Sequence, residues 1–329
     1  MIDRRGWTKA AFAAIALGVP LVSASQSGEQ IRRIGFLSGG PRPPDGLAPA
    51  PLRNALDAAG SADGRRIVYE ARWSQGHPEQ LPGLAAELVA LKVDAIVTVG
   101  GPPAAVAKQA TKTVPVVVIN AGDVVETGLV ASLAHPGGNI TGIDDPAAVL
   151  SAKRLEFVKE LVPRAQRVAV LWNAGDGAMT LRFHSIEKAA PVLGVAIDPL
   201  PVREPDDFNV ALAAMNKARP DAVMMITDAL TILNRKRVID YAAMQRIPAV
   251  YEYAAEVRAG GLLSYGADAG ENMALAADYV YRIIKGAKPA DLPVAQPKRY
   301  HLTINMSTAS SLGLSIPTSL LIRADEVIP

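Results

Sequence analysis

The most constraining feature of this sequence is one strand–helix pattern that is played twice. Ile34–Leu37, Ile67–Ala71, Ala95–Val99 and Val116–Ile119 are short apolar runs that read as strands. Between them, Pro51–Ala59, Glu79–Leu91 and Ala104–Thr111 carry the 3.6-residue spacing of amphipathic helices. The pattern restarts with strands at Val168–Leu171, Val195–Leu200, Ala222–Ile226 and Ala249–Tyr251. Helices accompany them at Lys153–Leu161, Leu181–Val192, Asp207–Ala218 and Leu230–Met244. Such alternation demands parallel strands joined by right-handed crossovers. Register supports a repeat, because Pro78 through Asp94-Ala95 and Pro205 through Asp221-Ala222 run alike with an offset of 127 residues at both ends. Val114-Pro115-Val116 and Ile247-Pro248-Ala249 match in role.

Composition agrees with this architecture. Half the residues are hydrophobic and only 5% are aromatic, so Ala, Val, Leu and Ile must build the core. That suits parallel strands covered by helices on both faces. The chain of 329 residues fits two domains better than one.

The N-terminus reads as an export signal. Arg4, Arg5 and Lys9 precede an apolar run from Ala10 to Val22, too short to span a bilayer comfortably. Val22-Ser23-Ala24 offers small residues for cleavage after Ala24. The arginine pair resembles a twin-arginine signal without the preceding Ser or Thr. The sequence contains no cysteine, hence no lipobox, disulfide framework or thiolate ligand. A freely diffusing periplasmic protein is the expectation.

Charge argues against polyanion partners. Of 34 Lys+Arg and 32 Asp+Glu, the leader takes three bases and one acid, which leaves 31 of each. A neutral surface has no counterion-release drive toward nucleic acid, and no basic stretch with interleaved aromatics occurs.

Several segments lead between the halves. Asn139-Ile140-Thr141-Gly142-Ile143 leaves the first. Gly260-Gly261-Leu262-Leu263-Ser264-Tyr265-Gly266 precedes a helix at Asn272–Lys285, and Asp291–Lys298 reads as a further crossing. Multiple crossings make a hinge, not a flexible tether.

Ordered blocks along the chain carry a family resemblance. They include Arg33-Ile34-Gly35-Phe36-Leu37-Ser38, Leu84-Ala85-Ala86-Glu87-Leu88-Val89, and Thr127-Gly128-Leu129 running into Pro136-Gly137-Gly138-Asn139-Ile140-Thr141-Gly142. The block 260–266, Lys285-Gly286-Ala287-Lys288-Pro289 and Ala324-Asp325-Glu326-Val327-Ile328 follow. Together they resemble the ABC transporter substrate-binding proteins of the tryptophan/tyrosine type over residues 31–329. The resemblance implies an α/β fold of two doubly wound parallel-sheet lobes joined by a multi-crossover hinge, the type I periplasmic binding protein fold. It places the first lobe at 31–142 plus about 268–292 and the second at 143–267 plus about 296–329. The Pro-rich stretch Pro41-Arg42-Pro43-Pro44-Asp45 departs from the family, where the first helix would start.

In open parallel sheets, ligands bind beyond the carboxyl ends of the strands. That rule selects Ser38, Gly39, Gly100, Gly101, Pro102, Asn120 and Asp123 in the first lobe. In the second it selects Asn173, Thr227, Asp228, Tyr251, Glu252 and Tyr265. Gly100-Gly101-Pro102-Pro103 opens a helix whose free N–H groups attract an anion such as a ligand carboxylate. Asp123, Asp228 and Glu252 are partners for a ligand ammonium, and by repeat position Asp228 faces Gly101 across the cleft. Tyr251, Tyr253 and Tyr265 offer faces and hydroxyls to a planar ligand. Each has an ordinary alternative as a cap, a loop acid or strand-end packing. Trp73 and Trp172 read as core or edge aromatics.

No chemistry-bearing motif appears. G-x-S-x-G, the P-loop lysine and the dinucleotide fingerprint are absent. His77, His135, His184 and His301 lack metal-ligand spacing, so neither cofactor nor metal is expected. The expected partners are a small-molecule ligand, an amino acid or aromatic carboxylated compound, and the permease subunits of an ABC importer. The chain is expected to act as a monomer, without enzyme activity. A periplasmic sensor that signals to a membrane receptor is the alternative.

Overall fold

In the computed structural model, which describes residues 30–329, the two sets of apolar runs form two sheets. The expected leader, residues 1–24, lies outside the described residues. The first sheet holds β1 (Gln30–Ser38), β2 (Arg65–Trp73), β3 (Ala95–Val99), β4 (Val116–Ile119) and β5 (Ile140–Ile143), all parallel, in spatial order β2-β1-β3-β4-β5. Helices α1 (Ala50–Ala62), α2 (Leu81–Ala90) and α3 (Gly101–Ala110) connect them.

The second sheet repeats the scheme. Its first five strands are β6 (Arg167–Asn173), β7 (Ala196–Val202), β8 (Ala222–Met225), β9 (Ala249–Tyr251) and β10 (Leu263–Gly266), in order β7-β6-β8-β9-β10. Both lobes therefore share one doubly wound order, with the winding direction reversing between β1 and β3 and between β6 and β8. The second sheet is then extended by β11 (His301–Asn305), antiparallel to β10, and β12 (Glu326–Ile328), parallel to β11. Its helices are α4 (Ala147–Leu161), α5 (Gly177–Ala189), α6 (Asp207–Ala218), α7 (Ala229–Gln245), α8 (Ala254–Arg258), α10 (Met306–Leu312) and α11 (Thr318–Arg323), while α9 (Ala269–Ile284) returns to the first lobe.

Both faces of each sheet are covered, which explains the unbroken apolar runs. In β1, Ile34 and Phe36 pack under α1 and α9, whereas Leu37 meets Leu81, Ala85 and Leu88 of α2 on the other face. Trp73 leans on Phe36, with centroids 4.9 Å apart, and Trp172 stacks on Phe183 at 3.7 Å in the second core. Helix α3 begins earlier than its apolar spacing predicts because Pro102 and Pro103 occupy the first turn, where a missing N–H costs nothing.

The Asp that marks the repeat has a structural role. Arg33 N–H donates to Asp94 Oδ2 at 2.7 Å, and Gln166 and Arg167 N–H donate to Asp221 Oδ2 at 2.8 and 2.9 Å. Each Asp thus ties the start of its lobe's central strand to the strand that it precedes. Pro115 and Pro248 carbonyls then accept from Ile96 and Val223 at 2.8 and 2.9 Å. Asp325 repeats the device on Leu302 N–H at 2.9 Å. Asp221→Ala is expected to lower unfolding free energy by about 1 kcal/mol in a denaturant titration, since two backbone donors lose a charged acceptor at an exposed site.

Among the described residues, three connections join the lobes. The chain passes from β5 into α4, whose Leu155 and Val158 pack with Val168 and Val170 of the second lobe. It returns from β10 into α9, whose Ala276, Val280 and Ile283 pack with Ile34 and Phe36. It leaves again after Leu292 toward β11. The last connection pairs with the first: Ala295 N–H donates to Gly142 O at 2.9 Å, and Asp144 N–H to Ala295 O at 2.8 Å. At Gly142, φ is +141° and a Cβ would lie 2.1 Å from Val118 O, so the hinge strand admits no side chain there.

Candidate ligand-binding site

Both winding reversals open onto one cavity of about 300 Å³ between the lobes. The first lobe contributes the ends of β1 (Ser38, Gly39), β3 (Gly100) and β4 (Asn120), the first turn of α3 (Pro102, Pro103), and Ser74, Pro78 and Leu81. The second lobe contributes Asn173 after β6, Thr227 and Asp228 after β8, and Asp176, Met179, Arg235, Tyr253 and Glu256.

The lobes meet through glycines of the first lobe. A Cβ on Gly39 would lie 3.1 Å from Cβ of Ala229, and one on Gly76 would lie 2.8 Å from Cδ1 of Leu233. One on Gly122 would lie 2.9 Å from Nη2 of Arg182. Gly101 faces Asp176 instead of the expected Asp228, with its Cβ position 3.7 Å from Asp176 Oδ1. The N-terminal turn of α3 therefore already has a carboxylate beside it, supplied by the protein.

The expected polar residues of the cavity are largely engaged. Ser38 Oγ accepts from Gly40 N–H at 3.1 Å, and Asn120 Oδ1 accepts from Asn272 of α9 at 2.7 Å. Asp228 caps α7 in a capping box: its Oδ1 accepts from Thr231 N–H at 2.9 Å, and its own N–H donates to Thr231 Oγ1 at 2.8 Å. Its Oδ2 accepts from Asn173 Nδ2 at 2.6 Å.

Two further carboxylates, absent from the sequence expectations, also reach the cavity. Asp176 caps α5 through Ala178 N–H at 2.9 Å, and burial, with the charge of Asp228, pushes its carboxyl above the ordinary range. Glu256, 2% exposed, is pushed up to about 7 by burial, against the pull of its own backbone N–H and the charge of Arg235. Glu256 Oε2, Ser74 Oγ and Thr227 Oγ1 are buried with no hydrogen-bond partner among the described residues.

Four expected contacts lie away from this lining. Tyr251 is 1% exposed in the core of the second lobe, against Gly261, because the side chain of this strand residue points into the sheet packing. Tyr265 packs edge-on against Phe157, with centroids 5.0 Å apart. Glu252 is bound by two arginines, Arg154 Nη1 at 2.6 Å and Arg182 Nη1 at 2.7 Å, all three at most 3% exposed. Asp123, in a left-handed conformation at φ +48°, sits near Asp144 and Arg182, and burial pushes its carboxyl up to about 6. Of the three tyrosines considered, only Tyr253 reaches the cavity wall, two residues beyond Tyr251.

Arg154 and Arg182 hold the floor behind the cavity. Arg182 also approaches Asp145 of the hinge at 3.8 Å, and Arg154 Nε donates to Tyr265 O at 2.7 Å. A sequence signal for Arg182 exists: it falls on the buried stripe of α5 with Ala178, Met179, Phe183 and Ile186. No comparable signal marks Glu256, because a five-residue helix is too short to display a period.

Comparison with known proteins agrees with this fold. The family model described as ABC transporter substrate binding protein matches residues 48–328. A tyrosine-binding protein of Clostridioides difficile is 27% identical over 275 residues, 83% of this chain and 79% of the relative. The crystal structure of an ABC domain from Streptococcus pneumonia in complex with L-Trp is 25% identical, covers 90% of this chain and 100% of its own, and superposes with a TM-score of 0.79. A conserved domain protein from Vibrio cholerae gives 0.81 at 25% identity, with 90% and 99% coverage.

Proposed function

The chain belongs to the family of ABC transporter substrate-binding proteins, and from that premise we propose that it captures an amino acid with an aromatic or large apolar side chain for import. The observation that carries the reading is the cavity itself. It is walled by both lobes, lined apolar by Pro78, Leu81, Pro102, Pro103, Met179 and Met273, and supplied with three carboxylates, Asp176, Asp228 and Glu256. Apolar walls with a few convergent polar groups are the ordinary form of a small-ligand site. Carboxylates in such a place favour a ligand ammonium, because a buried unpaired charge is costly. The amino acids named for its relatives, tyrosine and tryptophan, carry such an ammonium beside a flat apolar body.

Binding is coupled to closure. The glycine contacts between lobes leave the ligand enclosed, so a ligand that touches both lobes shifts the open–closed equilibrium toward the closed form. The closed form then docks on the permease in the inner membrane, from a periplasmic location. Among the described residues, no helix is long and apolar enough to cross a membrane.

A thermal-shift screen of the purified chain against amino acids, aromatic acids, sugars and purines tests this. A true ligand at a hundred times its dissociation constant adds about 2.7 kcal/mol of stability. A shift confined to amino acids is the expected result. A shift confined to sugars or purines overturns the ligand class.

A further inference from the structure

Of the three carboxylates that line the cavity, two are spent. Asp228 is the cap of α7 and takes the amide of Asn173, and Asp176 caps α5 while facing the first turn of α3. Glu256 differs. Its Oε2 is buried and has no hydrogen-bond partner among the described residues. A buried carboxylate oxygen left unpaired costs the desolvation of the group without return, so the site is incomplete until a donor arrives.

Arg235, from α7, lines the same cavity. Among the described residues, its guanidinium donates only from Nη1 to Ile232 O, one turn back on its own helix, at 3.2 Å. It lies near enough for its charge to act on Glu256, and no ion pair joins the two among the described residues. Opposite charges that share a cavity without touching leave room for a zwitterion whose own charges are reversed. Resting on the reading above, we propose that Glu256 and Arg235 hold the ammonium and the carboxylate of a free α-amino acid.

Both clamp residues belong to the second lobe, and this sets an order of events. The head group docks first on the second lobe, where Thr227 Oγ1 is a further hydroxyl without a partner among the described residues. The side chain then projects toward Leu81 and Pro102 of the first lobe, which close over it. Ligands with only one of the two charges leave the other clamp residue unpaired inside the cavity, so they are discriminated against by loss and not merely by weaker contact.

Titration calorimetry with three probes of one indole body tests the assignment: L-tryptophan, tryptamine, which lacks the carboxylate, and indole-3-propionate, which lacks the ammonium. The wild-type chain is expected to prefer L-tryptophan over each truncated probe by about 10- to 100-fold. Glu256→Gln keeps shape and loses charge. It should weaken L-tryptophan and tryptamine by about 10-fold or more and leave indole-3-propionate unchanged. Arg235→Gln should do the converse. Denaturant midpoints equal to wild type would show that both variants fold. Equal losses for all three probes, or unchanged affinity for L-tryptophan in both variants, would overturn the clamp while the amino-acid reading stands. A wild-type chain that binds none of the twenty amino acids would overturn both.

Discussion

Gly39→Val is expected to weaken ligand binding by about 10- to 100-fold while leaving the ligand-free chain as stable as wild type. Gly39 is absent from the glycines with positive φ, so its backbone accepts a side chain. What a side chain meets there is the opposite lobe, since even a Cβ would stand 3.1 Å from Cβ of Ala229. Two further methyls on that Cβ cannot be seated without holding the lobes apart. Overpacking of this kind costs about 1–3 kcal/mol, and the whole cost falls on the closed form. Ligand affinity drops in proportion to the population of the closed form that remains. Calorimetry for affinity and urea unfolding for stability separate the two effects. Wild-type affinity in this variant would mean that binding does not require the approach of Gly39 to Ala229.

Arg182→Met should be the most destabilising single change in the second lobe. Arg182 is 1% exposed, binds Glu252 at 2.7 Å and stands 3.8 Å from Asp145. Its removal leaves Arg154 as the one arginine on Glu252 and takes the nearest cation from Asp145, whose Oδ1 has no hydrogen-bond partner among the described residues. Breaking a buried pair from one side costs about 3–5 kcal/mol, readable in a denaturant titration. The loss should shrink on acidification, because protonated carboxyls no longer need the missing cation. In the intact chain, Asp123 carries the same sign. Burial raises its carboxyl to about 6 from an ordinary 3.8, so it binds its proton more tightly folded than unfolded. Its contribution is fully present below about pH 4 and is lost as pH rises through about 6. A variant as stable as wild type at pH 7 would remove Arg182 from the account of how the lobes are held.

Much of the framework was written in local patterns. Strands of a doubly covered parallel sheet must be apolar throughout, so β3, β4 and β8 stand out as runs without needing a partner. The Asp-Ala that precedes β3 and β8 was visible as a repeat, although its purpose, holding the start of the neighbouring strand, appears only in three dimensions. The strand-end rule led to the place of the cavity, because topology alone decides where winding reverses. It could not say which way each side chain turns. Tyr251 and Tyr253 flank Glu252, and strand alternation alone would set both on one face; β9 ends at Tyr251, buried in the core, and Tyr253, at the N-cap of α8, lines the cavity. Glu252 looked like a ligand partner because its two arginines come from α4 and α5, about 100 and 70 residues earlier in the chain. The C-terminal additions β11 and β12 are short and mixed in character, and they form because β10 offers them an edge.

The central claim is that two lobes close on an amino acid held between them. A chain without cysteine can carry spin labels at two introduced cysteines, one on each side of the cleft mouth. Glu79→Cys and Lys236→Cys suit this: both are exposed, and the ion pairs that they make, with His77 and Asp240, lie at the surface and contribute little. Pulsed dipolar spectroscopy then reads the distance across the mouth with and without L-tryptophan or L-tyrosine. The account predicts a broad, longer distribution in the free chain that becomes short and narrow at saturation, and that stays broad in Gly39→Val. A distribution unchanged by a saturating amino acid would contradict it.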